Sequence, residues 1–256
     1  MRLSPSSLID ETLAPAPDPK RVAGLAKVPF AHRGLHGEGR IENSRAAFAA
    51  ALGNGHGIEL DVQASRDGDA FVFHDYDLDR LTGDRGAVAE RGSAELERIR
   101  LRGSDETIPP LPEILKLIGG QAPLLIEIKV RERGVARLCL SVFRALDGYP
   151  GAVGVMSFNP EVGRWFATHG PRVARGLVVS EDGKRGGKGR IERRLALWRA
   201  RPDFLAYDIR DLPSRFAARA RARGLPVMTW TVRDARQHGT ASRHADQIVY
   251  EMAPTA

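Results

Sequence analysis

A chain of 256 residues with 42% hydrophobic content is long enough for one sizeable core, and its length is that of a typical α/β barrel at ~250 residues. One cysteine, Cys139, excludes an intrachain disulfide and any multi-cysteine metal site, and its apolar helical surroundings predict a buried, inert thiol. Basic side chains exceed acidic ones by 39 − 32, a net charge of +7, which favours anionic partners in general, selects no specific nucleic acid, and leaves membrane-surface contact open without predicting it.

Along the chain, Pro5, Pro15, Pro17 and Pro19 predict that residues 1–19 form an extended arm, and Asp18-Pro19 can cap a short helix running to Leu25 or Lys27. The start lacks a basic segment followed by an apolar run, and no apolar stretch reaches the ~18 residues of a membrane span, so a soluble cytoplasmic protein is the simplest reading. Strand-like runs follow at about 28–32, 57–63, 124–130, 153–158, 174–180, 204–208, 226–232 and 247–250. Helical segments between them span about Asn43 or Ser44 to Leu52, Leu111 to Ile118, Arg133 to Leu146, Pro160 to Thr168, Gly189 to Ala200, Pro213 to Arg223, and a short piece at Asp234 to His238.

Eight strands alternating with helices argue for a parallel (β/α)8 TIM barrel over a doubly wound sheet. The predicted organisation is an N-terminal arm with its short helix over 1–27 and a single barrel domain over 28–252, interrupted after the second strand by an insertion at about 65–110. Few residues follow the eighth strand, so the last helix is predicted to be reduced or missing, with the arm covering the seam between strands eight and one.

The chemistry gathers around residues 57–75. Side chains alternate in a strand, so Glu59 and Asp61 share one face while Ile58, Leu60 and Val62 share the other. Two carboxylates so placed repel unless positive charge sits between them, which makes the pair a candidate for a hard, oxygen-ligated cation. The turn Asp67-Gly68-Asp69 folds a second apolar strand back and delivers His74 near that face. Other polar residues at strand C-terminal ends are His32-Arg33-Gly34, Glu127 with Lys129, Ser157-Phe158-Asn159 and Thr229-Trp230-Thr231.

Glu59, Asp61 and Glu127 suit one divalent cation, Mg²⁺ or Ca²⁺, better than zinc, and leave the histidines free. Arg33 and Lys129 supply charge for a phosphate, and His32 with His74 supply a general acid and base, together the equipment for breaking a phosphodiester. Taken singly, the carboxylates read as a salt-bridge network, Trp230 as core, and His56, His169, His238 and His244 as surface or capping residues. Charged residues recurring on apolar strands at the same strand ends reverse the first two readings, because buried unpaired charge is costly.

Ala31-His32-Arg33-Gly34, Glu42-Asn43 with Ala46-Ala47-Phe48, Glu59-Leu60-Asp61-Val62, Asp67-Gly68 and Val72-Phe73-His74-Asp75 resemble the signature of the glycerophosphodiester phosphodiesterases. Leu81-Thr82 with Gly86, Ile108-Pro109 with Leu111, Glu127-Ile128-Lys129, Ser157-Phe158 and Trp230-Thr231-Val232 extend the resemblance over about residues 28–250. It implies a metal on Glu59, Asp61 and Glu127, His32 and His74 as the acid/base pair, and Arg33 and Lys129 on the phosphate. It further implies that Trp230 lines the pocket for the glycerol or the alcohol and that Glu42 orients Arg33 or ligates weakly.

The reaction so implied is hydrolysis of a small-molecule glycerophosphodiester to glycerol 3-phosphate and an alcohol, through a cyclic phosphate or by direct attack of water. Lysophospholipase D or sphingomyelinase D-like cleavage of lipid phosphodiesters is the alternative, and a non-catalytic phosphate-binding barrel is the alternative of another class. A metal-dependent amidohydrolase is excluded, since the first strand lacks His-x-His. Where the family commonly ends its last strand in Thr-Asp, this chain has Tyr250-Glu251, a departure that points to an altered substrate rim. The loop Glu181 to Arg194, with Lys184, Arg185, Lys188, Arg190, Arg193 and Arg194, reads either as solvated or as a collar for anionic head groups. Head group, metal identity and oligomeric state are not written in the chain.

Overall fold

The computed structural model describes residues 5–37, 39–131 and 134–251. In chain order the elements are α1 (Pro5–Leu13), α2 (Pro19–Val22), β1 (Phe30–Ala31), α3 (Arg45–Gly53), β2 (Gly57–Ala64), β3 (Ala70–Val72), α4 (Ser93–Leu96), α5 (Leu111–Ile118), β4 (Leu124–Ile128) and α6 (Val135–Ala145). They continue as β5 (Val153–Ser157), α7 (Pro160–His169), β6 (Ala174–Val179), α8 (Gly187–Ala200), β7 (Phe204–Asp208), α9 (Arg215–Ala222), β8 (Val227–Val232), α10 (Ala235–His244) and β9 (Gln247–Tyr250). The strands join in the order β1-β9-β8-β7-β6-β5-β4-β2-β3, and β1 also pairs with β2, so eight of them close on themselves. β3 is the exception, pairing antiparallel with β2. This is the predicted (β/α)8 barrel. No described helix is long and apolar enough to cross a membrane.

The chain forms two compact units, one of residues 28–153 with 250 onward and one of residues 1–27 with 154–249. In the first, β2 is buried from Gly57 to Gln63, and its parallel register with β4 sets Asp61 opposite Glu127. Ser44 caps α3 by accepting from the Ala47 N–H at 3.2 Å, and Ala47, Phe48 and Ala51 face inward. Gly34, at φ +77°, abuts this helix so closely that a Cβ would lie 2.8 Å from the Ala47 carbonyl carbon; glycine there lets the turn after β1 rest on α3. In α5, Leu111, Ile114, Leu115 and Ile118 are buried at helical spacing, and Gly119 ends the helix in the left-handed region.

The insertion is more than a polar loop. Phe71, Phe73, Leu78, Val88, Leu96, Ile99, Leu101 and Ile108 form an apolar cluster of their own, with Ile41 and Leu81 packed against it. At about 1.5–3 kcal/mol per fully buried large apolar side chain, this cluster helps to hold the segment that carries His74.

In the second unit, β5 to β8 run parallel in sequence order. Here the arm departs from expectation, because Pro5 to Leu13 is helical. Proline is tolerated in a first helical turn, and the remaining prolines all lie beyond Leu13, so the interval between is free to coil. Asp10 anchors it to α8, accepting from Trp198 Nε1 at 2.9 Å and pairing with Arg194 at 3.2 Å. Asp18 caps α2 as expected, though the helix stops at Val22. α10 extends to His244, well past the expected His238, since Gly239 lowers helix propensity without stopping the helix. The expected start of the sixth helix at Arg133, residues 1–4 of the arm, and the region beyond Glu251 where the last helix is expected to be reduced lie outside the described residues.

The arm is also tied down further along: Arg21 Nη1 meets the buried Asp203 at 2.7 Å, and Gln247 Nε2 donates to the Ala26 carbonyl at 3.0 Å. Deleting residues 1–26 therefore lowers the thermal melting temperature, and Arg21→Ala alone costs about 1–2 kcal/mol in chemical denaturation, because Arg175 still partners Asp203.

Candidate active site

The site is built in the unit of residues 28–153 with 250 onward. Glu59, Asp61 and Glu127 are all buried, and their carboxylates each offer an oxygen within 4.8 Å of the others. At that distance and an effective dielectric of about 20, two like charges repel by roughly 3.5 kcal/mol, a large part of the ~5–15 kcal/mol that stabilises a whole domain. The protein relieves only part of this. Lys129 Nζ reaches Asp61 Oδ1 at 3.1 Å and Glu127 Oε1 at 2.9 Å, Asn43 Nδ2 donates to Asp61 Oδ2 at 3.0 Å, and the Arg33 N–H donates to Glu59 Oε2 at 3.1 Å.

The balance is uneven. Burial pushes the Asp61 carboxyl up, but Lys129, Arg33 and the histidines outweigh it and hold Asp61 below its ordinary range. Burial and then the charges of Asp61 and Glu127 raise Glu59 well above the usual carboxylate range, and burial also leaves Glu127 raised. Three acids against two bases leave negative charge unneutralised among hard oxygen donors, which fits a divalent cation. Arg33 sits at φ +54°, in the left-handed region, and its buried Nε forms an ion pair with Asp61 Oδ2 at 3.2 Å without the geometry of a hydrogen bond.

Both histidines are held through Nδ1. His32 Nδ1 lies 2.5 Å from Glu251 Oε1, and its Nε2 lies 3.9 Å from Glu59 Oε2. His74 Nδ1 lies 2.6 Å from Asp75 Oδ1. Burial lowers the pKa of both rings; Glu251 opposes this at His32 and Asp61 opposes it at His74, without reversing it. Arg80 clamps Asp75 at 2.6 Å and donates to both oxygens of Glu42 at 2.9 and 2.7 Å. Glu42 in turn accepts from Arg33 Nη1 at 2.7 Å, and it is outside the three-carboxylate group, so it is placed to orient Arg33.

A family model described as the glycerophosphoryl diester phosphodiesterase family matches residues 32–251. The chain belongs to this family. A glycerophosphodiester phosphodiesterase of Bacillus altitudinis is 38% identical over 129 residues, 48% of this chain and 47% of that protein, and a lysophospholipase D of Rattus norvegicus is 33% identical over 114 residues, 40% of this chain and 36% of that protein. The chain thus matches less than half the length of these curated relatives. A phosphodiesterase of Oleispira antarctica, solved in complex with the product sn-glycerol-3-phosphate, shares the fold at a TM-score of 0.76 and 24% identity, covering 89% of this chain and 94% of that one.

The glycerophosphodiester phosphodiesterase signature thus converges in space for His32, Arg33, Glu42, Glu59, Asp61, His74, Glu127 and Lys129. Trp230 belongs to the other unit. There it is half-buried in β8, donates from Nε1 to the Ala206 carbonyl at 3.0 Å, and packs edge-to-face at 5.7 Å against the exposed ring of Phe158. Of the basic residues from Lys184 to Arg194, Lys184 pairs with Glu192, Arg185 with Asp211, Arg193 with Glu181 and Arg194 with Asp10, so most of the presumed collar is engaged in internal ion pairs. His56 and His169 are structural: the first meets the Tyr250 hydroxyl at 2.6 Å, the second the Trp165 carbonyl at 3.0 Å.

Sequence reasoning missed the supporting partners. Asp75 follows His74 within a quoted motif and Asn43 follows Glu42 in another, so their adjacency was a usable signal. Arg80 had none, and Glu251 looked like a rim residue. If the acidic group holds a divalent cation, Mg²⁺ or Ca²⁺ at about 100-fold over Kd stabilises the fold by about 2.7 kcal/mol in calorimetry, chelator reverses the gain, and Glu127→Gln abolishes it.

Proposed function

We propose that this protein hydrolyses glycerophosphodiesters to glycerol 3-phosphate and an alcohol with the help of one divalent cation, Mg²⁺ or Ca²⁺. The observation that carries this reading is a buried three-carboxylate group with Arg33 and Lys129 beside it and two histidines whose Nδ1 atoms are already engaged by carboxylates. The named activity of the Bacillus altitudinis relative and the glycerol 3-phosphate in the Oleispira antarctica structure support the substrate class.

Glu59, Asp61 and Glu127 would hold the cation, which when bound supplies positive charge against the phosphoryl oxygens and the charge that develops on them. Arg33 and Lys129 add fixed cationic donors that draw the phosphodiester in and orient it. With Nδ1 occupied, each histidine works through Nε2. One takes the proton of the glycerol 2-hydroxyl, whose oxygen forms the new bond to phosphorus, and the other gives its proton to the alcohol oxygen as the phosphorus–oxygen bond to it breaks. Water then opens the cyclic phosphate, with the two histidines exchanging roles. If water attacks phosphorus directly, the same pair serves in a single step.

A second reading, cleavage of lysophospholipid-type diesters, rests on the named activity of the rat lysophospholipase D.

A coupled assay for glycerol 3-phosphate across choline, ethanolamine, glycerol and inositol diesters, with a lysophospholipid as a parallel arm and with chelator as control, separates these readings. Turnover of the water-soluble diesters above the lipid, lost on chelation, is expected; turnover of lipid alone would favour the second reading. His32→Ala and His74→Ala each lower kcat by about 10²–10⁴ while leaving cation affinity by calorimetry unchanged, and loss of cation binding in either variant sinks the acid/base assignment.

A further inference from the structure

Glu251 directly follows β9, and the structure gives it a task. The His32 N–H donates to the Tyr250 carbonyl at 2.9 Å, which locks the residue after β1 to the end of β9. The Tyr250 side chain is pinned through its hydroxyl to His56 Nδ1 at 2.6 Å. With its backbone neighbour fixed this way, Glu251 extends Oε1 to within 2.5 Å of His32 Nδ1, across 219 residues of sequence. The same oxygen lies 3.9 Å from His36 Nε2.

An imidazole has two nitrogens, and a carboxylate on one decides what the other does. With Nδ1–H donated to Glu251, the lone pair and the exchangeable proton site fall to Nε2, and the ring can no longer spin to offer the wrong nitrogen. Nε2 is the nitrogen that faces Glu59 and the acidic group. His74 obtains the same hold from the adjacent Asp75, itself clamped by Arg80. His32 has no acidic neighbour in sequence, so its hold comes from the last strand.

The geometry points to Glu251 as the positioning residue of His32, fixing the tautomer and ring orientation that make Nε2 the proton-transferring atom. This rests on the acid/base reading of His32, and the Nδ1–H resonance and the cation affinity report on it without turnover.

The test uses the full chain and four variants, Glu251→Gln, Glu251→Ala, His32→Ala, and His32→Ala combined with Glu251→Gln. In proton NMR the intact protein shows a far-downfield imidazole Nδ1–H resonance that is absent in His32→Ala, moved upfield in Glu251→Gln and lost in Glu251→Ala. On a glycerophosphodiester, Glu251→Gln lowers kcat by about 10–100-fold with KM little changed, and it adds no further loss in the His32→Ala background, because the two act as one unit. Cation affinity stays at the wild-type value in Glu251→Gln.

If the resonance that His32→Ala removes is left in place by Glu251→Gln, the proposal is overturned whether or not the protein turns over any diester. So does an additive loss in the double variant. Loss of cation binding in Glu251→Gln overturns it too, since the group His32, His36 and Glu251 would then be serving as ligands. Should Glu251→Ala fail to fold, the Gln variant, which keeps the shape and the acceptor, decides alone.

Discussion

Asp61 can remain ionised in a buried place only because Lys129, Arg33 and Asn43 all point at it, and the rest of the site follows from that neutralisation. Its own two oxygens are accounted for: Oδ1 by Lys129, Oδ2 by Arg33 and Asn43. Glu59 and Glu127 are left as acids whose charge the protein only partly balances. A site tuned to neutrality would have matched three acids with three bases. This one stops at two, and the shortfall suits a hard divalent cation.

Around that centre the cationic side chains are shared. Arg33 bridges Asp61 and Glu42, Arg80 bridges Glu42 and Asp75, and Asp75 holds His74. The chain of contacts links the orientation of Arg33 to that of His74, so displacing Arg80 disturbs both side chains at once.

Much of this could be read from the amino acids because it depends on short-range periodicity. Alternation placed Glu59 and Asp61 on one face, and the strand pattern put Glu127 and Lys129 on a neighbouring strand; the observed register, Asp61 opposite Glu127, joins them. α5 is where its apolar spacing and terminal glycines put it. What could not be read were contacts that depend on register across long stretches of chain. Nothing local tells that residue 251 returns to His32, or that Arg80 reaches Glu42. The helix at Pro5–Leu13 was hidden by counting prolines without asking which lay inside the turn, and the apolar cluster of the insertion by the loop-like polarity of the residues between its members.

That cluster has a consequence for how such a site can change. His74, Asp75 and Arg80 ride on a segment whose own interior, from Phe71 to Ile108, holds it together. His74 is therefore mounted on its own packed fixture, while the three carboxylates sit on β2 and β4. Substitutions inside the fixture can shift a histidine by fractions of an ångström and leave the carboxylate geometry alone. The position of the histidine and the spacing of the carboxylates are thus parts of the molecule that selection can adjust one at a time.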